Sequence, residues 1–563
     1  MNTLAHALAD GSTHEVTNQS RPLVDVNLWA IDRPLQEAVR RDHPAPDAAL
    51  QARLQALGAE AGSAAMQQHA RLANVHGPEL RSHDRFGHRI DQVEFHPSYH
   101  ALMEAALRHR LHGSPWSAGP GGHVERAAGF MLFTEAEPSV LCPVSMTYAV
   151  TPALRANAGI WADWGALIAS PRYDPRFVGA AHKSAVTLGM GMTEKQGGSD
   201  VRANTTRAEA DGEDGWGTRV AITGHKWFFS APMCDAFLVL AQGEGGLSCY
   251  FLPRIRPDGS VNAIAIQRLK HKLGNQANAS SEVEFKRATA WLVGEPGRGV
   301  AQILAMGAMT RLDCALGTAA LMRQALSLAL HHGAQRKAFG KRLIEQPMMK
   351  NVLADLALES EAATALAMRL ARAVDRSENG QDVDGHEAVL RRVLTPIAKF
   401  WICKRGAAFG QEAMECLGGN GYVEENGAGV MARIYREMPV NSIWEGAANI
   451  QALDLLRALR SGPVADALMH ETAEARAARD DVRRLGERVH HGLDGATGEA
   501  EARRLARDVA LLVQAALLQR SAPAAVFDAF CAGRIAEPGD VFGALPAGLD
   551  LDAVLARAMP WTA

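Results

Sequence analysis

Hydrophobic residues in the first third of the chain recur at helical spacing. From Leu50 onward, leucine and alanine repeat every three or four residues, which places them on one face of a helix. This spacing predicts helices at about 47–74 and 96–112, followed by several short buried helices. Residues 1–182 are therefore expected to form a mostly helical domain.

The spacing of apolar residues changes near residue 186. Short runs rich in β-branched and aromatic residues are separated there by Gly, Pro, Asn and Asp, as is typical of strands joined by turns. Such runs begin at Arg219, Asp235, Gly246 and Ser281. They predict a small antiparallel sheet or barrel in a central domain at 183–297.

The helical period returns after Gly297. Four long segments predict a helix bundle at 298–462, and a final helical module is predicted at 463–563. The four segments are 299–333, 346–376, 384–417 and 442–460. The predicted fold is mainly α with a central β domain, and it excludes a doubly wound dinucleotide-binding domain. A cofactor would have to lie in loops and between domains.

Composition restricts the class of protein further. The chain has 563 residues, of which 47% are hydrophobic, so it is globular and long enough for several domains. No apolar run reaches the roughly 18–20 residues that span a bilayer. The first residues lack the basic and apolar regions of a secretory signal. A cytoplasmic protein without membrane contact is therefore expected.

Charge and cysteine content argue against several kinds of site. The net charge of −3 lacks the basic excess that usually accompanies nucleic-acid binding. Residues 463–563 hold 11 Arg, no Lys and 15 Asp plus Glu, a net charge of −4. The seven cysteines form no C-x-x-C pair, so we expect buried, reduced thiols and no metal site.

Two motifs in the β domain carry groups suited to a planar heterocycle. Gly191–Asp200 offers the hydroxyls of Thr193 and Ser199 beside glycines that permit close approach, although a polar turn is an alternative. His225–Ser230 has three consecutive aromatic residues in a chain with only 6% aromatics. Strand alternation would place a ring and a hydroxyl on one face, as flavin contact requires; a core cluster is the alternative.

Two further motifs lie at the ends of predicted bundle helices. Arg336–Lys341 combines a guanidinium with an aromatic ring, which can bind a pyrophosphate and stack on an adenine. A basic surface loop is the alternative. Leu417–Tyr422 contains three glycines in four positions. One glycine is explained by the end of a helix, and three indicate backbone packed against a ligand.

Glu445 is the candidate acid–base residue. It lies beside Trp444 and Gly446 at the start of the last predicted bundle helix. A carboxyl group near apolar neighbours would have its pKa raised by desolvation, as a general base for carbon acids requires. The alternative is a first-turn Glu favoured by the helix dipole.

The four motifs and the segment around Glu445 resemble the acyl-CoA dehydrogenase family in their order and spacing, over about 120–460. The runs GMGMTEKQGGSDVRANTTRA, GHKWFFS, MTRLDCALG and YREMPVNSIWEG are similar to its AidB branch of bacterial adaptive-response proteins. The family implies a helical domain, a β-barrel and a four-helix bundle, with bound FAD and a homotetramer. The branch implies the additional C-terminal helical module.

The resemblance also implies roles for individual residues. Glu445 matches the catalytic base, whereas Thr310, at the position that some members use instead, cannot be a base. Arg311 would face the thioester or CoA, and an ion pair with Asp313 or another acid is the alternative. Arg336 and Phe339 would reach the ADP portion of FAD on a neighbouring subunit. The implied FAD-binding residues are Met190, Met192, Thr193, Gly198, Ser199, Phe228, Phe229, Ser230, Arg336, Phe339, Gly418, Gly419, Gly446 and Asn449.

Two functions are implied. One is α,β-desaturation of an acyl-CoA thioester, weak and of isovaleryl-CoA type in this branch. The other is binding of double-stranded DNA in the response to alkylation. The candidate DNA contacts are Arg483, Arg484, Arg488, Arg503, Arg504 and Arg507. The alternatives are salt-bridged surface helices, as the spacing of Asp480 and Arg484 suggests, and a metabolic dehydrogenase or oxidase without a DNA role.

Overall fold

The computed structural model describes residues 13–460, 463–493 and 497–561. The N-terminal region is helical, as predicted, and also contains a hairpin, β1 (Glu79–His83) and β2 (Arg89–Glu94), that the apolar pattern does not predict. Its helices are α1 (Leu28–Ile31), α2 (Arg33–Asp42), α3 (Ala48–Ala61), α4 (Ala64–Val75), α5 (Pro97–Arg108), α6 (Gly122–Thr134), α7 (Leu141–Ala149), α8 (Thr151–Leu154) and α9 (Ala158–Ala169).

The helix predicted at 47–74 is two helices, α3 and α4. The chain turns at Gly62, where a Cβ would lie 1.9 Å from the carbonyl oxygen of Val26. Ser63 then accepts a hydrogen bond from the amide of Met66 and starts α4 as its N-cap. The predicted buried face of α3 is confirmed, since Leu50 is fully buried.

The central region is a closed, mixed sheet. Its strands are β3 (Leu188–Gly191), β4 (Arg207–Asp214), β5 (Gly217–Ser230), β6 (Ala236–Gly243), β7 (Gly246–Pro253), β8 (Ile264–Leu269) and β9 (Ser280–Val293). Pairing runs from β6 through β4, β5, β9 and β7 back to β6, with β3 beside β6 and β8 beside β9. The expectation of an antiparallel sheet is wrong for β3 and β4, which pair with β6 in parallel. The chain between them is long enough for the crossover that parallel pairing needs.

Three of the four predicted bundle helices are present as α10 (Gly299–Gln335), α11 (Pro347–Glu378) and α12 (His386–Glu415). The short strands β10 (Lys337–Ala338) and β11 (Lys341–Arg342) join the first two. The predicted fourth helix at 442–460 is wrong in extent, since the chain forms α13 (Gly419–Tyr422), α14 (Val430–Asn441) and α15 (Ala448–Ala458). Between α14 and α15, Glu445 and Gly446 have φ angles of 59° and 94°, which are incompatible with an α-helix.

The C-terminal region is helical and packs on the bundle. Its helices are α16 (Val464–Glu471), α17 (Ala473–Ala478), α18 (Asp480–His491), α19 (Ala502–Ser521), α20 (Ala524–Cys531) and α21 (Leu551–Ala558). Helix α19 lies against α11, α12 and α15. Gly462, at the predicted start of this module, lies outside the described residues.

Other expectations concern membranes and thiols. Within the described ranges, no helix combines the length and apolar character needed to cross a membrane. The expected lack of a secretory signal concerns residues 1–12, which lie outside the described residues. All seven cysteines are buried with free thiols, as the scattered spacing predicts.

A buried ion-pair network holds the C-terminal region on the bundle. Arg369 of α11 donates to Glu387 of α12 at 2.7 Å and to Glu471 of α16 at 2.9 Å. Arg520 of α19 donates to Glu471 at 3.0 Å. Burial alone would raise the pKa of Glu471, but the guanidinium groups of Arg369 and Arg520 lower it to about 2. Glu471 therefore stabilises the fold fully above the ordinary carboxyl range, and this contribution is lost as the pH falls toward 2.

We predict that Arg369→Met lowers the free energy of unfolding by about 3–5 kcal/mol at neutral pH, because it leaves two carboxylates buried without this partner. This loss of unfolding free energy should be smaller in acid, where these carboxyls become protonated in the variant. Denaturant unfolding at several pH values measures both effects. Arg483→Met, in an exposed ion pair, is the control and should cost less than about 1 kcal/mol. Equal losses in the two variants would contradict the prediction.

Candidate active site

Glu445 lies in the turn between α14 and α15, not in a helix as predicted. Its backbone is left-handed, a conformation that costs a non-glycine residue about 1–2 kcal/mol. The next residue must be glycine, since a Cβ on Gly446 would lie 2.8 Å from the side-chain nitrogen of Gln451. The turn thus points the Glu445 side chain in a direction that a helical residue at this position could not adopt.

The Glu445 carboxyl group faces α10. Thr310 Oγ1 donates a hydrogen bond to Glu445 Oε2 at 2.7 Å. Burial raises the pKa of Glu445, while this hydrogen bond and the charges of Arg311 and Lys399 act in the opposite direction. The predicted desolvation is therefore present, and the first-turn alternative does not describe this residue. A buried carboxylate with a raised pKa has the basicity that a proton-abstracting group needs.

The backbone of the turn is held by side chains from three helices. Arg311 Nε of α10 donates to the carbonyl oxygen of Glu445 at 2.9 Å, and Gln451 Nε2 of α15 donates to the same oxygen at 3.0 Å. Lys399 Nζ of α12 donates to the Gly446 carbonyl oxygen at 2.6 Å. Gln451 also donates to this oxygen at 2.9 Å. Both carbonyl groups of the turn are thereby satisfied inside the bundle.

Arg311, the predicted substrate contact, is used in an ion pair. Its Nη1 donates to Asp454 of α15 at 2.9 Å, and its side chain is only 12% exposed. The ion-pair alternative therefore describes this residue, with Asp454 as the partner. Asp313 instead pairs with the buried Arg126 of α6.

The barrel presents the second half of the site. Phe228 at the end of β5 is 55% exposed, and the Ser230 hydroxyl lies 3.2 Å from that of Ser280. The predicted alternation is wrong here, because the pairing register shifts between Lys226 and Phe229 and both of these side chains are fully buried. Phe229 packs against Phe237. The core alternative thus describes the Phe229 ring, which has no surface free for a cofactor.

The loop that follows β3 lies directly beside these rings. The Thr193 carbonyl oxygen accepts a hydrogen bond from the Trp227 amide at 2.9 Å, which joins the first two motifs. Met190 is buried, Met192 is half-buried, and Gly198 and Ser199 are exposed.

A buried ion pair shapes this loop. Glu194 Oε1 accepts from Lys226 Nζ at 2.8 Å, and both side chains are fully buried. The other oxygen of Glu194 accepts from the Thr205 amide at 2.8 Å. Burial would raise the pKa of Glu194, but the Lys226 ammonium and the hydrogen bonds lower it to about 2. The loop between β3 and β4 is therefore tied to β5 by a charge pair.

Cys142 of α7 marks the place where the two halves meet. Burial raises the pKa of its thiol to about 11. Lys272 and a hydrogen bond from Ser230 act to lower this pKa, while the charge of Glu445 raises it further. Helix α7 packs on both α10 of the bundle and β3 of the barrel, so this thiol lies between the two halves and is influenced by groups of both.

The groups on the barrel fit the flavin that the resemblance implies. Phe228 presents an exposed aromatic ring, Ser230 a half-buried hydroxyl and Ser199 an exposed one, and the loop that carries Ser199 is hydrogen-bonded to β5 at Trp227. Gly197 has open space where a Cβ would stand, so that a flat ring can approach the backbone there. FAD would supply the electron acceptor, and the chain would supply the walls of the site.

The other two predicted motifs lie elsewhere. Arg336 follows the C-terminus of α10, 26 residues after Thr310, which at 1.5 Å per residue is roughly 39 Å from it. Phe339 is 98% exposed, and Gly418 and Gly419 are exposed with open space around them. Within one chain, these motifs are too far from Glu445 to contact the same FAD molecule.

Three of the predicted DNA contacts are paired with acids of their own region. Arg483 donates to Glu487 at 2.6 Å, and Arg507 and Arg488 lie 2.7 Å and 3.9 Å from Asp508. The salt-bridge alternative describes these three, although Arg483 rather than Arg484 pairs with Asp480.

The other three arginines are exposed and have no ion pair within the described ranges. Arg484 and Arg504 point into solvent on α18 and α19. Arg503 lies over the Phe400 ring at 5.8 Å and donates to Asn449 at 3.5 Å. Asn449, a predicted flavin contact, is exposed on α15 and borders the C-terminal region.

Sequence reasoning did not single out Lys399, Gln451 or Lys226. Lys399 is a charged residue in the apolar run Thr395–Cys403, which is a signal of a buried polar contact. Gln451 and Lys226 carry no such signal, because their partners are backbone groups and a loop carboxylate far along the chain.

Comparison with known proteins covers most of the chain. Residues 18–175 match the adaptive response protein AidB N-terminal domain, 189–288 the acyl-CoA dehydrogenase middle domain, and 297–460 the acyl-CoA dehydrogenase C-terminal domain. The Escherichia coli K12 protein named "Putative acyl-CoA dehydrogenase AidB" is 51% identical to this chain over 450 residues. The match covers 79% of this chain and 80% of that protein.

Two solved structures resemble the whole fold. Bd2924 in its apo-form has a TM-score of 0.81 at 28% identity, covering 90% of this chain and 99% of that chain. Caenorhabditis elegans ACDH-11 in complex with C11-CoA has a TM-score of 0.83 at 25% identity, covering 93% and 94%. The chain therefore belongs to the acyl-CoA dehydrogenase family of FAD-dependent oxidoreductases, in its AidB branch.

Proposed function

We propose that this protein dehydrogenates an acyl-CoA thioester between its α and β carbons, with Glu445 as the base. The observation that carries this proposal is the Glu445 carboxyl, which accepts a hydrogen bond from Thr310 and whose pKa is raised by burial. The complex of ACDH-11 with C11-CoA supports a CoA thioester as the substrate class. The resemblance of the sequence motifs to the AidB branch implies a short branched acyl chain of isovaleryl type.

In the proposed reaction, Glu445 removes the proton from the α-carbon of the thioester. FAD, when bound, would supply the acceptor for the hydride lost from the β-carbon. Thr310 holds the Glu445 carboxylate in place before the proton is taken. Partial burial of Glu445 raises its pKa, which makes the carboxylate more basic.

We predict that Glu445→Gln retains FAD but lowers the rate of flavin reduction by at least about 10²-fold, because the amide cannot take the proton. Anaerobic stopped-flow bleaching with a panel of acyl-CoAs, including isovaleryl-CoA, measures this rate. In the native protein, the rate should fall in acid at a higher pH than an ordinary carboxyl would cause, since the pKa of Glu445 is raised.

Thr310→Val is the matched control for Glu445→Gln. It removes one hydrogen bond and keeps the base, so that activity should remain with its acid limb moved to higher pH. A protein whose flavin is bleached by no thioester of the panel would refute the proposed dehydrogenation.

We infer further that the ADP portion of FAD is bound by Arg336 and Phe339 of a neighbouring subunit in a homotetramer. The distance along α10 supports this, because one chain cannot bring these residues and Glu445 to one FAD molecule. The 98% exposed Phe339 ring is an aromatic surface without cover in the single chain.

We predict that Phe339→Ala weakens FAD binding by about tenfold, as loss of one stacking contact would. The flavin-to-protein ratio after gel filtration with light scattering measures retention and assembly together. Val383→Ala removes an equally exposed apolar side chain from another loop and should leave both unchanged. Full flavin retention in Phe339→Ala, or a monomer with full flavin content, would contradict this inference.

A second function, binding of double-stranded DNA, is supported by the AidB likeness and by the exposed, unpaired Arg484 and Arg504. We propose that these residues, with Arg503, neutralise phosphates. Arg483, Arg488 and Arg507 contribute less, because the acids beside them already neutralise their charge.

We predict that the double variant Arg484→Ala with Arg504→Ala lowers the salt dependence of duplex binding by a slope of about 1.8, or about 0.9 per phosphate contact. Fluorescence anisotropy over a series of salt concentrations measures it. Arg483→Ala with Arg507→Ala, on the same two helices, is the control and should change the slope less. An unchanged slope in the first variant, or no duplex binding by the native protein, would favour a dehydrogenase without a DNA role.

A further inference from the structure

Lys399 is a buried cation that neither function uses. It lies on α12 with 1% of its surface exposed. Its Nζ donates to the Gly446 carbonyl oxygen at 2.6 Å. Among the described residues, no carboxylate lies within ion-pair distance of Nζ. Burying a lysine without a carboxylate partner costs free energy, so the hydrogen bond to the carbonyl oxygen and the surrounding charges must stabilise the buried ammonium group.

The Lys399 ammonium group lies next to the strained part of the turn. Glu445 and Gly446 are consecutive residues with positive φ, and Glu445 has a Cβ that opposes this conformation. The Lys399 hydrogen bond restrains the peptide that joins Gly446 to α15. The Arg311 and Gln451 contacts restrain the peptide before it.

The charges around Glu445 come from each helix that packs on it. Helix α12 contributes Lys399, and α10 contributes Arg311 and the thiol of Cys314. Arg311 is neutralised by Asp454 of α15 at 2.9 Å. The thiol of Cys142 lies on the α7 side, and burial raises its pKa to about 11, so that it is neutral.

Of the two cations that act on Glu445, Arg311 is paired with Asp454, whereas Lys399 forms no ion pair with a carboxylate of the described residues. The thiols of Cys314 and Cys403 also lie near its ammonium, and burial raises the pKa of both, so they too are neutral. The positive charge of Lys399 lowers the pKa of Glu445, together with the larger effects of the Thr310 hydrogen bond and of Arg311.

We propose that Lys399 is a positioning residue for the Glu445 base: it holds the left-handed turn through the Gly446 carbonyl and supplies the positive charge that keeps the carboxylate ionised. This assignment rests on the proposed role of Glu445 for its meaning in catalysis. The effect of Lys399 on the protonation of Glu445 does not depend on that role.

The test is a titration of the Glu445 carboxyl in the FAD-loaded protein by pH-difference infrared spectroscopy, with Glu445→Gln used to assign the band. We expect Lys399→Met to raise the midpoint by roughly one pH unit, as loss of a nearby opposite charge does. Lys399→Arg, which keeps the charge, should restore it toward the native value. Lys404→Met, the same change on an exposed position of α12, should leave it unchanged.

The acid limb of the pH profile of flavin reduction should shift in the same direction as the midpoint of the infrared titration. An unchanged infrared midpoint in folded Lys399→Met would overturn the proposal. If that variant does not fold, Lys399→Arg decides: a native midpoint supports the role of the charge, and a raised one overturns it. Failure of the dehydrogenase proposal would appear instead as a normal titration without flavin bleaching.

Discussion

The left-handed backbone at Glu445 is the constraint on which the active site depends. A helix satisfies its own peptide groups, but the turn between α14 and α15 brings free carbonyl groups into the bundle. Each carbonyl left unsatisfied would cost about 1–3 kcal/mol. Arg311, Lys399 and Gln451 supply the missing donors from three different helices. The side chains that make the turn possible also surround the base with its electrostatic environment.

The barrel meets the same requirement in another way. The loop after β3 is polar and lies against a hydrophobic interior, so its groups need buried partners. Glu194 and Lys226 provide them, and the strand that carries Lys226 also carries Phe228 and Ser230. The flavin-facing groups therefore lie on backbone that is tied to the core by a charge pair.

Periodicity and motif order predict the domain layout and most of the long helices, because apolar spacing reports on local burial. They fail where one residue decides the backbone. Gly62 divides α3 from α4 through a close approach to Val26, and Glu445 interrupts a pattern that otherwise continues as a helix. Motifs identify Glu445 itself. Its partners Lys399 and Gln451 are found only in three dimensions, since hydrogen bonds to backbone leave no pattern in the sequence.

The acidic tail shows why net charge is a poor guide to its role. Its acids are mostly engaged within the molecule: Glu471 with Arg369 and Arg520, and Asp508 with Arg488 and Arg507. The pair of Glu471 with Arg369 joins the tail to the bundle, and α19 packs on α15, the helix that follows the Glu445 turn. In the described part of the tail, Arg484, Arg503 and Arg504 are exposed without an ion pair, and Arg503 also contacts Asn449 on the helix that follows Glu445.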